Sequence, residues 1–512
     1  MGTAIEDVTV PKPSPFEPPK TAQRAGARAG AGLPPVIPPH FMGLVCLLLF
    51  IGCTQDQQPT ELMLDGAGPD PMDMGMVVDM ASDAAPPPVG FATAEYCGNC
   101  HVEHYRQWSG SMHAYATKDP VFIAMVEKGI ADTEGQLDQF CVQCHAPVAS
   151  RKGQLPVIEG DGTHTMDLDL TNPLIADGVQ CVTCHSIERV NGTQNADFDL
   201  SEVTYFGPTG SEAANIPHPV AKSPLFNDPA QKSLLCGSCH DVLNPNGARL
   251  EATFSEWYSN DFNAPQDPEQ HKTCGDCHMP TYQGPITENG PIKTLHSHRF
   301  IGVDQALIAD FPQKEEQARL IQDLLAEAAH LEVRYNGINK DGDAVVVVAV
   351  ENVNNGHNLP SGSTADRQVW AHVRITDETG TLVYESGALD ENGDLADGVE
   401  GHSRNPEADP ELLLFGQFIY GADGEHVLFP WEAHQYTDNL LGPGQRKWRD
   451  FLIPVDRFQG DSLTVEAVLK YRTFPPFLIA RLIELGHLPP DVLAPIPIIE
   501  MNRVRETFRL RP

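Results

Sequence analysis

The chain has 512 residues, 41% of them hydrophobic, long enough for two or three globular domains. Its 34 basic and 70 acidic residues give a formal charge of -36, which excludes nucleic acid and anionic membrane surfaces as natural partners. A basic redox protein is the partner such a charge would steer; the plainer reading is that the charge aids solubility.

The first 40 residues are rich in Pro, Ala and Gly, carry Lys12, Lys20, Arg24 and Arg28, and show no apolar periodicity. An apolar run from Phe41 to Gly52 follows, too short to span a bilayer but suited to a signal-peptide core. It ends in Leu49-Phe-Ile-Gly52-Cys53, which resembles a bacterial lipobox with Phe50 where Leu is usual. Residues 1–53 are therefore read as an export leader, with membrane anchoring by lipid on Cys53. The expected location is periplasmic, or the outer membrane or cell surface. Residues 54–90 hold seven acidic residues and neither Lys nor Arg, and read as a flexible linker. Met72, Met74, Met76 and Met80 within it are not counted as ligands.

Between Tyr96 and Met279 one pattern occurs five times: Cys97-Gly-Asn-Cys100-His101, Cys141-Val-Gln-Cys144-His145, Cys181-Val-Thr-Cys184-His185, Cys236-Gly-Ser-Cys239-His240 and Cys274-Gly-Asp-Cys277-His278. A position matches C-x-x-C-H by chance about once in 8,000, so five copies are not accidental. In this pattern two thiols one helical turn apart bond to the vinyl groups of a haem, and the adjacent imidazole becomes its proximal iron ligand. Zinc pairs would stand closer together and would not need His after each pair. Ten of the twelve cysteines are thereby used, and Cys46 and Cys53 are the other two.

Residues 91–300 thus read as a pentahaem domain carrying five covalently attached haem c groups. At roughly 42 residues per haem there is little room for a side-chain core, so the haems are expected to replace it, wrapped by short helices and irregular loops with little sheet. Gln107–Met112, Val121–Lys128 and Thr253–Asn260 are the helix candidates. The proximal ligands are His101, His145, His185, His240 and His278. Candidate distal ligands are His113, His298, His357, His296, His218 and His271, with His104 and His164 behind them; for each, the plain alternative is a surface imidazole. His outnumbers Met here (Met112, Met125, Met166 and Met279), which predicts mostly bis-histidine irons.

Several stretches resemble a known family: Tyr96 to Ala114 with Tyr105, Trp108, Ser111 and His113; Cys141 to Pro147; Gly178 to His185; Leu235 to His240; and Cys274 to Pro280 with His298-Arg-Phe. They are similar to the multihaem cytochromes c of the cytochrome c-552/c-554 type. The resemblance implies closely stacked haems, remote distal ligands and a redox role outside the cytoplasm, and it matches His113 and His298 to distal positions. Pentahaem nitrite reductases carry a C-x-x-C-K site and hydroxylamine oxidoreductases eight haems; neither feature is present. Electron transfer is therefore expected rather than catalysis, so no catalytic residue is named. The alternative is an oxidoreductase acting on a small nitrogen or sulfur oxyanion at an iron with an open axial position.

Residues 301–330 are read as a connector whose helix has apolar residues at 318, 320, 321, 324, 325 and 328. From Leu331 the period becomes two, and about seven short strands with polar turns predict an antiparallel β-sandwich-like domain over 331–512. Pro475–Gly486 reads as a short amphipathic helix. The loop Gly356-His357-Asn-Leu-Pro360-Ser-Gly362, with Arg367 after it, interrupts the strands; it either supplies a ligand or propionate contact or is a turn with an exposed histidine. His372, His402, His426 and His434 are read as surface or structural residues. The fold class is thus α+β and multidomain, a mostly α or irregular multihaem part followed by the strands.

Overall fold

The architecture comes from a computed structural model that describes residues 90–511, apart from 211–217, 219, 261–262, 264–270, 354–355, 400–401 and 491–495. The leader, the lipobox with Cys53, Cys46 and the acidic linker lie outside the described residues. All described residues belong to one compact unit. Among them, no helix is long and apolar enough to cross a membrane.

The N-terminal half is a succession of short helices. Each motif lies on a single helical turn: Ala94–Gly98, Val142–His145, Cys181–His185, Lys232–Gly237 and Cys274–His278 begin, contain or lead into the five copies. The longest helix here is α1, Pro120–Asp132, started by Pro at its first turn and by the Asp119 side chain accepting the Val121 N–H. The helix α2, Thr253–Tyr258, follows the fourth motif. The expectation of little sheet needs amendment: five two-stranded ribbons run between Val157 and His296, four antiparallel and one parallel. Two-residue periodicity cannot signal strands of two to five residues, which is why sequence reading passes over them.

The connector helix forms as α3, Lys314–Ala328, burying Ile321 and Leu325. Strands β1 (Ala329–Ile338), β2 (Asp343–Asn352), β3 (Gln368–Asp377), β4 (Leu382–Ser386), β5 (Leu414–Phe415), β6 (Arg446–Pro454), β7 (Ser462–Arg472) and β8 (Ile499–Arg509) follow. They form two open antiparallel sheets, one in the order β1-β2-β6, the other β4-β3-β7-β8 with β5 also paired to β3. Alternation explains the pairing: Ala344, Val346, Val348 and Val350 on β2 and Val465, Ala467 and Leu469 on β7 all point into one apolar cluster shared by the two sheets and α3. The β1–β2 turn closes at Gly342, whose φ of +89° favours glycine.

The C-terminal half also contributes to cores around the motifs. The apolar face of α4, Pro476–Glu484, buries Phe477, Leu478 and Leu482 against α1 and the second motif, together with Phe429 and Trp431. Ala306 and Phe311 pack with Trp108 and Tyr115 beside the first motif.

Phe451 on β6 is fully buried between the sheets. Phe451→Ala should cost about 3–5 kcal/mol, read as a lowered unfolding midpoint in urea, with the visible spectrum of the native protein unchanged because no motif is touched.

Candidate haem ligand sites

The five motifs share one backbone device. In the first, second and fourth, the His N–H donates to the carbonyl of the first Cys four residues earlier, at 2.9, 3.3 and 3.0 Å; the third and fifth lie wholly within helices. Both thiols therefore project from one side of a turn, with the imidazole next to them. Two motif glycines are there for space: a Cβ on Gly98 would stand 2.6 Å from the Tyr105 ring, and one on Gly237 2.2 Å from the Phe254 ring.

Every motif imidazole is fixed at Nδ1. His101 faces the carbonyl of Ile286 at 2.9 Å, His145 that of Ala116 at 3.3 Å, His185 that of Phe206 at 2.8 Å and His278 that of Ile301 at 2.5 Å. His240 differs, since its Nδ1 meets the carboxylate of Glu251 at 3.0 Å. A ring donating from Nδ1 keeps its Nε2 lone pair for a metal. Burial holds His145, His185 and His278 below the usual imidazole range, against the raising effect of their carbonyls, with His278 brought to about 4. For His240 burial also acts downwards, but the hydrogen bond and charge of Glu251 prevail and raise it to about 9.

Four of the five motif rings face a second histidine. Ring centres are 6.2 Å apart for His101 and His218, 6.4 Å for His185 and His298, 6.4 Å for His240 and His113, and 6.2 Å for His278 and His357. One metal between two imidazoles, with bonds of about 2 Å and about 1 Å from each nitrogen to its ring centre, requires about 6 Å. His113 and His298 are pushed down to about 3 by burial and then by neighbouring imidazoles, so both are neutral at physiological pH. The Nδ1 of His298 lies 2.9 Å from the carbonyl of His296, and that of His357 lies 3.0 Å from the carbonyl of Asn358, the same arrangement as on the motif side.

The other candidates lie elsewhere. His104 is also 6.2 Å from His101, but it sits on the same short helix and packs edge-on against His298 at 4.6 Å. His296 has its Nδ1 2.8 Å from the carbonyl of Met279, His271 packs edge-on near Trp257, and His164 lies beside Gly135. Among the described residues, no histidine ring faces His145; the ring stacked on it is Phe122, at 4.0 Å and 9°. Of the histidines read as structural, His402 is buried with its Nδ1 2.5 Å from Asp397, and the Nε2 of His372 lies 2.9 Å from Glu385. Arg367 pairs with Asp304 at 2.6 Å and donates to the carbonyl of Ser361.

Thiols of different motifs meet. Cys181 holds Cys97 below the ordinary thiol range through a thiol–thiol hydrogen bond, Cys144 does so for Cys239, and Cys236 for Cys274; each partner is raised in turn. Cys184 is also raised, first by burial and then by Cys239. The first motif therefore adjoins the third, the second adjoins the fourth, and the fourth adjoins both the third and the fifth.

Sequence reading missed the residues that hold these ligands. Glu251 stands in Arg249-Leu-Glu251-Ala-Thr253, a stretch without any motif. Gly178 has φ +58°, a Cβ there would lie 2.6 Å from the carbonyl oxygen of His113, and that oxygen accepts the Val179 N–H at 3.0 Å. Its place just before Gln180-Cys181 was visible; its contact with a segment 65 residues earlier was not.

These residues fit a covalently attached haem: paired thiols on one turn, an imidazole oriented by its Nδ1 hydrogen bond, and in four cases a second, half-buried imidazole opposite. Gly178→Ala should cost about 1–3 kcal/mol through backbone strain, and should also disturb the spectrum of the His113–His240 site, which an equally destabilising change between the sheets would leave intact.

A family model described as cytochrome c554 and c-prime matches residues 96–186. No curated protein matches the chain. Among solved structures the chain is similar to a penta-haem cytochrome c552 from Thermochromatium tepidum, with 21% identity and a TM-score of 0.56 over 81% of this chain and 99% of that one, a likeness of fold. In its motifs, in the family model matching its first three of them and in its fold, the chain is similar to the multihaem c-type cytochromes of the c-552/c-554 type.

Proposed function

We propose that this chain carries five covalent haem c groups and passes electrons among them, and that it exchanges electrons with a separate redox protein, a basic one being favoured by its net charge. When bound, each haem supplies a one-electron Fe(III)/Fe(II) couple. The observation that carries the reading is the set of four histidine pairs, each joining a motif ring to a ring from a remote segment at 6.2–6.4 Å. Two imidazoles facing each other across an iron would hold both oxidation states with little rearrangement and would leave it no open coordination position for a substrate, which suits electron transfer.

In this reading His101 pairs with His218, His185 with His298, His240 with His113 and His278 with His357. His218 is preferred to His104 because residues three apart on one helix lie side by side rather than on opposite sides of a metal. His296, His271, His104 and His164 are not used. The thiol neighbours give a branched order in space: first motif, third, fourth, then second and fifth from the fourth.

The His145 site is the exception, and it bears on the alternative of an enzyme for small oxyanions. Such a site would need a cation or histidine opposite the motif ring. The ring stacked on His145 is instead Phe122, which packs on an apolar cluster with Val121 and Val142, while Glu251 and His240 act on His145 only through their charge. Electron transfer remains the better reading.

The export leader, lipid on Cys53 and a location outside the cytoplasm remain part of the proposal, supported by the leader sequence and by the extracytoplasmic attachment of bacterial c-type haem. So does a β-sandwich over 331–512, supported by the one apolar cluster into which both sheets point.

Electron paramagnetic resonance and magnetic circular dichroism on the fully loaded protein test the ligation. Four low-spin bis-imidazole signals are expected, with a fifth iron of different ligation. Several high-spin irons, or methionine bands at more than one site, would overturn the pairing.

The carboxylate on His240 yields a separate expectation. An anionic acceptor makes its imidazole a stronger donor than the four held by backbone carbonyls, which favours Fe(III). Glu251→Gln should raise the midpoint potential of one haem and leave the others in place, measured by spectroelectrochemical titration.

A further inference from the structure

Helix α2 belongs to the motif-bearing half, yet its side chains grip the loop between β2 and β3 on which His357 stands. Glu256 makes three of these contacts. Its Oε2 accepts the Asn358 backbone N–H at 3.1 Å and the Ser361 hydroxyl at 2.7 Å, and its Oε1 accepts the Asn358 side-chain amide at 2.8 Å. Thr253, one turn earlier, shares a hydrogen bond with the Ser361 hydroxyl at 2.8 Å and accepts the Gly362 N–H at 3.0 Å. Asn260, just past the helix, donates to the carbonyl of Gly356.

The residue that Glu256 holds by both its backbone and its side chain is the one whose carbonyl faces Nδ1 of His357 at 3.0 Å. A line of contacts thus runs from the Glu256 carboxylate through Asn358 to the tilt of the His357 ring, which lies 6.2 Å from His278 and within 14° of its plane. The loop has other moorings: Leu359 and Leu441 exchange backbone hydrogen bonds, and Asn352 donates to the His357 carbonyl at 3.0 Å. These fix where the loop runs. They do not fix the ring.

We propose that Glu256 is the positioning residue of the fifth site, clamping Asn358 and Ser361 so that His357 is presented opposite His278; this rests on the His278–His357 pairing above. The same stretch carries Glu251 at Nδ1 of His240, so residues 251–258 set the motif-side ligand of the fourth site and the opposite ligand of the fifth. Those two motifs are neighbours through Cys236 and Cys274.

The test uses the full chain with its haems attached, compared as His357→Ala, Glu256→Ala and Glu256→Gln. His357→Ala should remove one of the four bis-imidazole signals and add a high-spin one. Glu256→Ala should change that same signal and raise the midpoint potential of that haem, with the other three pairs untouched, and added imidazole should restore the low-spin spectrum. Glu256→Gln, which keeps the shape and one acceptor oxygen, should give the same change in smaller measure, and it answers the question if the alanine variant does not fold. If His357→Ala acts while both Glu256 variants keep the parent's spectrum and potential, the clamp is disproved and the pairing survives. If His357→Ala leaves all four signals in place, the pairing itself is wrong.

Discussion

A metal site that uses histidine has to decide which ring nitrogen faces the metal, and here the hydrogen bond at Nδ1 decides it for every motif. Four backbone carbonyls and one carboxylate accept from the five motif rings, and each acceptor lies outside the motif it serves. C-x-x-C-H can present its thiols by itself, because one helical turn suffices. It cannot orient its own imidazole. The surrounding loops are shaped to bring Ala116, Phe206, Glu251, Ile286 and Ile301 to the rings, and the short ribbons of the first half are how such loops satisfy their remaining backbone groups.

The second imidazoles impose a longer-range order. His113 follows the first motif but faces the fourth, His298 follows the fifth but faces the third, and His357 comes from between two strands of the C-terminal half. Each pairing closes a large loop of chain, and each would lose its purpose without a metal between the rings. In the proposed pairing, attachment of the haems and completion of the fold would be coupled, as in other proteins whose metal sites supply folding energy. The small clusters near the motifs fit this: Ile187, Phe198 and Leu225 gather around Cys144 and Cys239 rather than forming a core of their own.

What the sequence made legible follows the range of each signal. The motifs are local and chemically unusual. The strands β2, β3 and β7 are long enough for alternation to appear, and α3 long enough for a helical stripe. The ribbons of two to five residues fall below any period. The flanks of His113 and His298 marked them as candidates, but which motif ring each one faces was illegible, because the partners His240 and His185 stand more than 100 residues away in the chain. Glu251 and Glu256 look like solvated acids in an acidic chain; only the loops that close over them make them ligand holders. The amphipathic stripe of α4 was readable, but its destination against α1 and the second motif, rather than the sheets, was not.

The strands are then more than an appendage to a redox module. Phe429, Trp431 and α4 cover the second motif, Ala306 and Phe311 brace the first, and the β2–β3 loop brings His357 to the fifth. Cutting the chain near residue 300 would uncover apolar surface at two sites and take the opposing ring from a third. Five motifs in so short a stretch of polypeptide leave too few side chains to enclose the groups they carry. The segments around the two sheets supply that cover, and the core the sheets share fixes the ends of the loop that carries His357.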